Sequence, residues 1–328
     1  MTSISEPRLS EIISACAAKR IMVIGDLMID RYLWGNVTRI SPEAPVPIIN
    51  IEDEDVRFGG AANVANNLIG LAVEPVMVGV VGADKWGDIF REKLEKQQLT
   101  IGGLIEDASR PTTIKTRIIG NNQHIARVDR EKTHTISDVT AAKIIQFVES
   151  QLDKIDAIIL EDYNKGLLIP QIIAPVVEMA SRKKVTVTVD PKFDNFLAYQ
   201  NVTVFKPNKK ETAEALAMRL DSEVDIREAG AKLLAKLNAE NVLITLGAQG
   251  MALFEQNGQV ELTGTRARRV ADVSGAGDTV IATLTAALAA GATISEAVSM
   301  ANFAAGAVCE EVGAVPITVE KLTNAMLR

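Results

Sequence analysis

The sequence predicts an α/β protein built on a doubly wound, mostly parallel sheet flanked by helices, with a small β lid. Three observations lead there. Short, wholly apolar runs recur along the chain, and these suit strands buried on both faces of a sheet. Helical segments separate most of them, and crossover connections of that kind make neighbouring strands parallel. Several runs also end in a polar residue, where a parallel sheet meets its ligand.

In chain order, a helix is expected over 10–19, followed by the run Ile21-Met-Val-Ile24, which ends at Gly25-Asp26 with Asp30-Arg31-Tyr32 just beyond. Further apolar runs occupy 76–81, 157–160, 185–189, 202–205 and 242–245. Helices are expected over 61–71, 86–98, 139–152, 172–182 and 211–219. Two segments break this rhythm. Residues 45–58 read as extended, and 112–129 alternate branched and charged residues as a hairpin whose turn is Asn121-Asn122. Together they predict the lid, formed by about 36–58 and 110–130 and inserted in a single domain spanning 1–328. Another hairpin is expected over 251–262, turning at Asn257-Gly258, and the last third is helical through 319–327.

A chain of 328 residues can bury a substantial core. Its net charge of −7 argues against nucleic-acid binding, which needs clustered cations. The two cysteines, Cys16 and Cys309, lie in apolar stretches without metal-ligand spacing, which predicts buried free thiols and a cytoplasmic protein. No run approaches the roughly 20 apolar residues of a membrane span, and no secretory core is visible.

The chemistry gathers around Ala271-Asp-Val-Ser-Gly-Ala-Gly-Asp-Thr-Val280, a glycine turn opening an uncharged helix. Free N–H groups at such an end attract anions, so Gly275, Ala276 and Gly277 read as an anion hole and Asp278 as a base. The same residues also read as a capped helix start. Gly59-Gly-Ala-Ala-Asn63 suits a polyhydroxylated ligand or, equally, a tight strand-to-helix turn. Asp26 and Asp30 can accept from sugar hydroxyls. Asn208 and Glu211 can order Mg²⁺ and its waters beside phosphates or form a capping box, and no direct protein ligand to a metal is assigned. The polar strand ends are Asp26, Glu161-Asp162, Asp190, Lys206-Pro-Asn208 and Gly247. Only two histidines occur, and neither a P-loop nor a dinucleotide glycine motif is present.

The pairing of Gly59-Gly-Ala-Ala-Asn63 with Asp272-Val-Ser-Gly-Ala-Gly-Asp-Thr279 resembles the two signatures of the ribokinase-like (PfkB) carbohydrate kinases. Four further motifs, Gly25-Asp-Leu-Met-Ile-Asp-Arg-Tyr32, Arg39-Ile-Ser-Pro-Glu-Ala-Pro-Val-Pro47, Asp162-Tyr-Asn-Lys-Gly166 and Asp190-Pro-Lys192, resemble its D-glycero-β-D-manno-heptose 7-phosphate kinases. The resemblance implies ATP-dependent phosphorylation of the anomeric O1, giving the 1,7-bisphosphate for ADP-heptose and lipopolysaccharide core synthesis. It implies Asp278 as base, Asn208 and Glu211 near ATP phosphates and Mg²⁺, Thr245, Gly247 and Gly250 bordering nucleotide, and Asn302 near adenine. ATP and Mg²⁺ are the implied cofactors, and the need for a monovalent cation stays open. By the same matching Asp26, Gly59, Gly60 and Asn63 would hold the sugar, to which the residue chemistry adds Asp30. The distal phosphate needs cations, for which Lys115, Arg117, Arg127, Lys165 and Lys192 are candidates. Many similar proteins carry a C-terminal nucleotidyltransferase half, so a chain stopping at Arg328 is expected to be a kinase only. The segment 127–134 is more charged than the family pattern. The competing readings are another sugar kinase, acting on a ketose, pentose or phosphorylated hexose, and a non-catalytic sugar-binding regulator. An exposed lid strand predicts a homodimer.

Overall fold

The computed structural model describes residues 4–121, 123–267, 269–311 and 313–327. The chain opens with α1 (Glu6–Cys16), β1 (Arg20–Gly25), β2 (Leu27–Ile40), β3 (Pro47–Gly60), α2 (Ala61–Gly70), β4 (Glu74–Val81), α3 (Lys85–Lys96), β5 (Leu104–Glu106), β6 (Thr113–Gly120) and β7 (Gln123–Arg130). It continues through α4 (Asp138–Gln151), β8 (Ala157–Glu161), α5 (Pro170–Lys183), β9 (Thr186–Asp190), β10 (Val204–Phe205), α6 (Lys209–Leu216) and α7 (Glu223–Leu237). The last elements are β11 (Asn241–Thr245), β12 (Met251–Glu255), β13 (Val260–Thr263), α8 (Ala276–Ala289), α9 (Ile294–Cys309) and α10 (Val319–Leu327).

The main sheet runs β13-β12-β11-β10-β9-β8-β1-β4-β5. Pairing is parallel from β11 through β5, and the β12–β13 hairpin adds antiparallel strands at one edge. Alternation along β1 explains why its run is wholly apolar. Ile21 and Val23 point into the core under α1, α2, α8 and α9, whereas Met22 and Ile24 point into the opposite core with α4, α5 and α7. The chain winds from β1 towards β4 and then returns to β8 on the other side, so the crevice beyond the ends of β1 and β8 is the topological switch point.

A second sheet, ordered β3-β2-β6-β7, forms the lid. It begins earlier than expected, because β2 leaves β1 after Gly25 and is strand from Leu27. Register places Asp30 opposite both Arg57 and Lys115, Tyr32 opposite Arg117, and Arg117 opposite Arg127. Directly paired residues share a face, so one side of the lid is a polar array. The hairpin forms where expected, with Asn121 at φ 51; Asn122 lies outside the described residues.

Two helices differ from expectation. Ser5 caps α1 by accepting from the Arg8 N–H, and a proline stands in the first turn, so the helix starts at Glu6 rather than near residue 10. α7, which no apolar run announced, is set by a capping box at Ser222 and Asp225. Cys16 and Cys309 are both buried free thiols. Among the described residues no helix is long and apolar enough to cross a membrane.

Candidate active site

The site forms where α8 begins. Gly275 precedes the helix in the left-handed region at φ 77, and no side chain caps this end. The first-turn N–H groups therefore face the crevice with their partial positive charge. A Cβ on Gly277 would lie 3.8 Å from Lys206 Nζ, which puts a buried ammonium beside the turn. Asp278, one residue on, is 7% exposed. Asn63 of α2 donates to its Oδ2 at 2.6 Å, and the Tyr163 hydroxyl donates to its Oδ1 at 2.8 Å. Burial pushes the carboxyl up to about 6, against the pull of those two donors; Asp190 raises it further and Lys206 lowers it. It is thus a buried carboxylate, ionised near neutral pH, in the first turn of a helix whose start has no side-chain cap among the described residues.

Around it lies a compact charge cluster. Carboxylate oxygens of Glu161, Asp190 and Asp278 fall within 4.8 Å of one another. Counter-charge comes from Lys206, 2.7 Å from Asp190 Oδ2, and from Lys192, 2.5 Å from Glu211 Oε1 and 3.9 Å from Asp190 Oδ1. Glu161 Oε2 is buried and has no hydrogen-bond partner among the described residues. Burial, followed by Asp190 and Asp278, holds that carboxyl well above the usual range. Burial works against the Lys192 ammonium, but Asp190 and Glu211 raise its pKa above the usual lysine value.

Against the Ala276–Gly277 turn lies a cavity of about 470 Å³, bordered by Asn208, Thr245, Gly247, Gly250, Gly277 and Asn302. Val270, Val273, Val280 and Ala305 make its wall largely apolar, while Gly277 brings the polar turn to one end. A flat heterocycle with a charged tail fits such a shape. Asn302 is buried and donates to the Gly264 carbonyl at 2.8 Å, which fixes the wall. Asn208 and Glu211 form a full capping box on α6, and both Glu211 oxygens are engaged, one by the Asn208 N–H and one by Lys192. A neighbouring cavity of about 530 Å³, lined by Arg266, Phe303 and Lys321, is larger, but it shares only Thr265 and Ala267 with this one and is not bordered by Ala276 or Gly277.

Residues 18–321 match the pfkB family carbohydrate kinases. The chain belongs to that family. The bifunctional protein HldE of Desulfatibacillum aliphaticivorans is 40% identical over 310 residues, 94% of this chain and 63% of the relative. HldE of Helicobacter hepaticus is 43% identical over 299 residues, 91% of this chain and 62% of the relative. This pfkB kinase therefore spans just under two thirds of the length of these relatives. Arabidopsis thaliana ribokinase complexed with ribose and ATP aligns with a TM-score of 0.71 at 20% identity, covering 94% of this chain and 98% of that one. Escherichia coli phosphofructokinase-2 in complex with fructose-6-phosphate aligns with a TM-score of 0.73 at 16% identity, over 94% and 98% of the two chains. Both share the ribokinase-like fold.

Within this pfkB site, the expected sugar residues separate into different tasks. Asp26 is buried, and its Oδ2 accepts the backbone N–H groups of Tyr163 and Lys165, so that oxygen holds the loop after β8. Asp30 accepts from Arg117 on the polar lid face. A Cβ on Gly59 would stand 2.5 Å from Asp30 Oδ2, and Gly60 takes φ 57 at the start of α2, so both need glycine. The expected cations also divide. Lys192 sits with Glu211 and Asp190, Lys165 pairs with Glu131 at 2.8 Å, and Arg127 is an exposed partner of Asp129. Lys115 stands 6.0 Å from the centre of the Tyr163 ring, its pKa lowered by burial and by Lys165. The recurrence of polar strand ends had marked Glu161, Asp190 and Lys206. Tyr163 carried no such signal beyond its place in a motif, because a loop tyrosine does not reveal what its hydroxyl meets.

Proposed function

We propose that this carbohydrate kinase transfers the γ-phosphoryl group of ATP to the anomeric O1 of D-glycero-β-D-manno-heptose 7-phosphate. The observation that carries the reading is Asp278, a buried carboxylate at the start of α8 that is held by Asn63 and Tyr163 and follows Gly277 on the wall of the nucleotide-sized cavity. Asp278 takes the proton of O1 as that oxygen attacks the γ-phosphorus; the bond to the β-phosphate breaks and ADP leaves. The N–H groups of the Gly275–Gly277 turn and the Lys206 ammonium stabilise the charge on the group in transfer. The apolar cavity holds adenine, with Asn302 fixing its wall. Mg²⁺ travelling with ATP supplies further charge neutralisation. Asn208 and Glu211 would flank it: Lys192 and the Asn208 N–H each take one Glu211 oxygen, and each oxygen keeps a second acceptor site for a water of the ion.

The sugar assignment is supported by the four heptose-kinase motifs and by the relatives at about 40% identity. Lys115 is the cation best placed for the 7-phosphate. It lies on the lid face beside Tyr163 and among the described residues makes no carboxylate hydrogen bond. We place the reaction in the cytoplasm, supplying a heptose 1,7-bisphosphate for lipopolysaccharide core synthesis, in a homodimer that pairs lid edges β3 and β7 with a second copy. Ile51 and Val128 leave apolar surface there. Light scattering checks the dimer.

A coupled ADP-release assay over heptose 7-phosphate, fructose 6-phosphate, fructose and ribose tests the substrate. The expected result is highest kcat/KM for heptose 7-phosphate. Preference for fructose 6-phosphate would place the chain with the kinases of phosphorylated hexoses instead.

A further inference from the structure

Tyr163 follows β8 and is fixed at both ends. Its backbone N–H donates to Asp26 Oδ2 and its hydroxyl to Asp278 Oδ1, each at 2.8 Å. Asn63 holds the other oxygen of Asp278, so the carboxylate has one orientation relative to the anion turn. A carboxylate oxygen has two acceptor sites, and Tyr163 fills only one of those on Oδ1.

We propose that Tyr163 is the positioning residue of the base: its hydroxyl stays on Asp278 during the reaction, keeping the carboxylate ionised and aimed while the free site on Oδ1 receives the sugar hydroxyl. This rests on the reading of Asp278 as the base. A phenol suits the position because it donates a hydrogen bond without adding a charge. Burial, followed by Asp278, Glu161 and Asp190, raises its own ionisation well above the usual tyrosine range, so the proton stays on the phenol. Ammonium groups of Lys115 and Lys192 stand 6.0 and 5.6 Å from the ring centre. The other charged groups facing Asp278 are Glu161 and Asp190 at the ends of β8 and β9, and Lys206 after β10.

Loss of a donor to the charged form raises a carboxyl pKa. In the full chain labelled with ¹³C at aspartate side-chain carboxyls, Asp278→Asn identifies the resonance. The wild-type midpoint is expected at about 6. Tyr163→Phe should raise it by roughly one pH unit or more. Replacing the tyrosines with 3-fluorotyrosine makes a stronger donor and should lower the midpoint, and it keeps the ring should the phenylalanine variant not fold. An Asp278 midpoint that stays put in the folded variants overturns the proposal. With Mg-ATP and heptose 7-phosphate, the acid limb of kcat should move with the midpoint while KM stays within about twofold, and a KM effect without a limb shift also overturns it. These readouts separate two failures. Activity retained by Asp278→Asn removes the base reading, whereas an unmoved carboxyl midpoint removes only the role of Tyr163.

Discussion

Replacing Lys206 with methionine tests the electrostatic design of the site. The side chain is buried, and its ammonium lies 2.7 Å from Asp190 Oδ2 within a group of three carboxylates. Methionine matches the shape and removes the charge. Breaking a buried ion pair from one side costs about 3–5 kcal/mol, because the remaining charge is left without a partner. The penalty should depend on pH. Lys206 lowers the pKa of both Glu161 and Asp278, each already raised by burial, so its loss raises them further. A carboxyl whose folded pKa rises in the variant costs it stability above that value, and the difference from wild type fades as pH falls through the wild-type folded value, about 6 for Asp278. The variant should therefore show nearly the whole loss at about pH 8 and a much smaller one near pH 5. Urea unfolding of wild type and variant at both values reads this directly. No loss at pH 8, or a loss equal at both values, would refute the reasoning.

Other outcomes follow from the same geometry. Gly277→Ala would put a methyl group 3.6 Å from Asp190 Oδ2 and 3.8 Å from Lys206 Nζ, ordinary contact distances, so the fold should keep its stability. On the proposed mechanism the methyl group stands where phosphate would approach the backbone, and kcat should fall by about 100-fold or more. Gly275→Ala should act differently: at φ 77, with Asn63 Nδ2 only 3.0 Å from the new Cβ, it should lower stability by about 1–2 kcal/mol in a thermal melt. Lys115→Ala should raise KM for heptose 7-phosphate by roughly 10-fold or more and leave KM for the unphosphorylated heptose unchanged, as expected for loss of a charged hydrogen bond. Equal effects on both sugars would move the distal phosphate elsewhere.

The parallel sheet was legible because a strand buried on both faces must be apolar throughout, as in β1 and β8. β2 was not, since one face carries Asp30 and Tyr32 over the site and the other Ile29 and Leu33, and nothing local says that such a strand leaves the main sheet at Gly25. The ends of β8, β9 and β10 were visible as polar residues after apolar runs. Their pairing was not: Lys206 meets Asp190 across 16 positions, and Tyr163 meets Asp278 across 115. Such contacts depend on the winding of the sheet. Of the two readings of Asn208 and Glu211, the structure shows the capping box, which also holds Glu211 against Lys192.

The central claim is that Asp278 activates O1 of a heptose 7-phosphate for attack on ATP. ³¹P NMR of the reaction with Mg-ATP and heptose 7-phosphate tests it most directly. The predicted result is a new sugar 1-phosphate signal, split by the anomeric proton and appearing in step with ADP, in wild type and not in Asp278→Asn. ADP formed without that signal, or the same signal formed by Asp278→Asn at the wild-type rate, would contradict it.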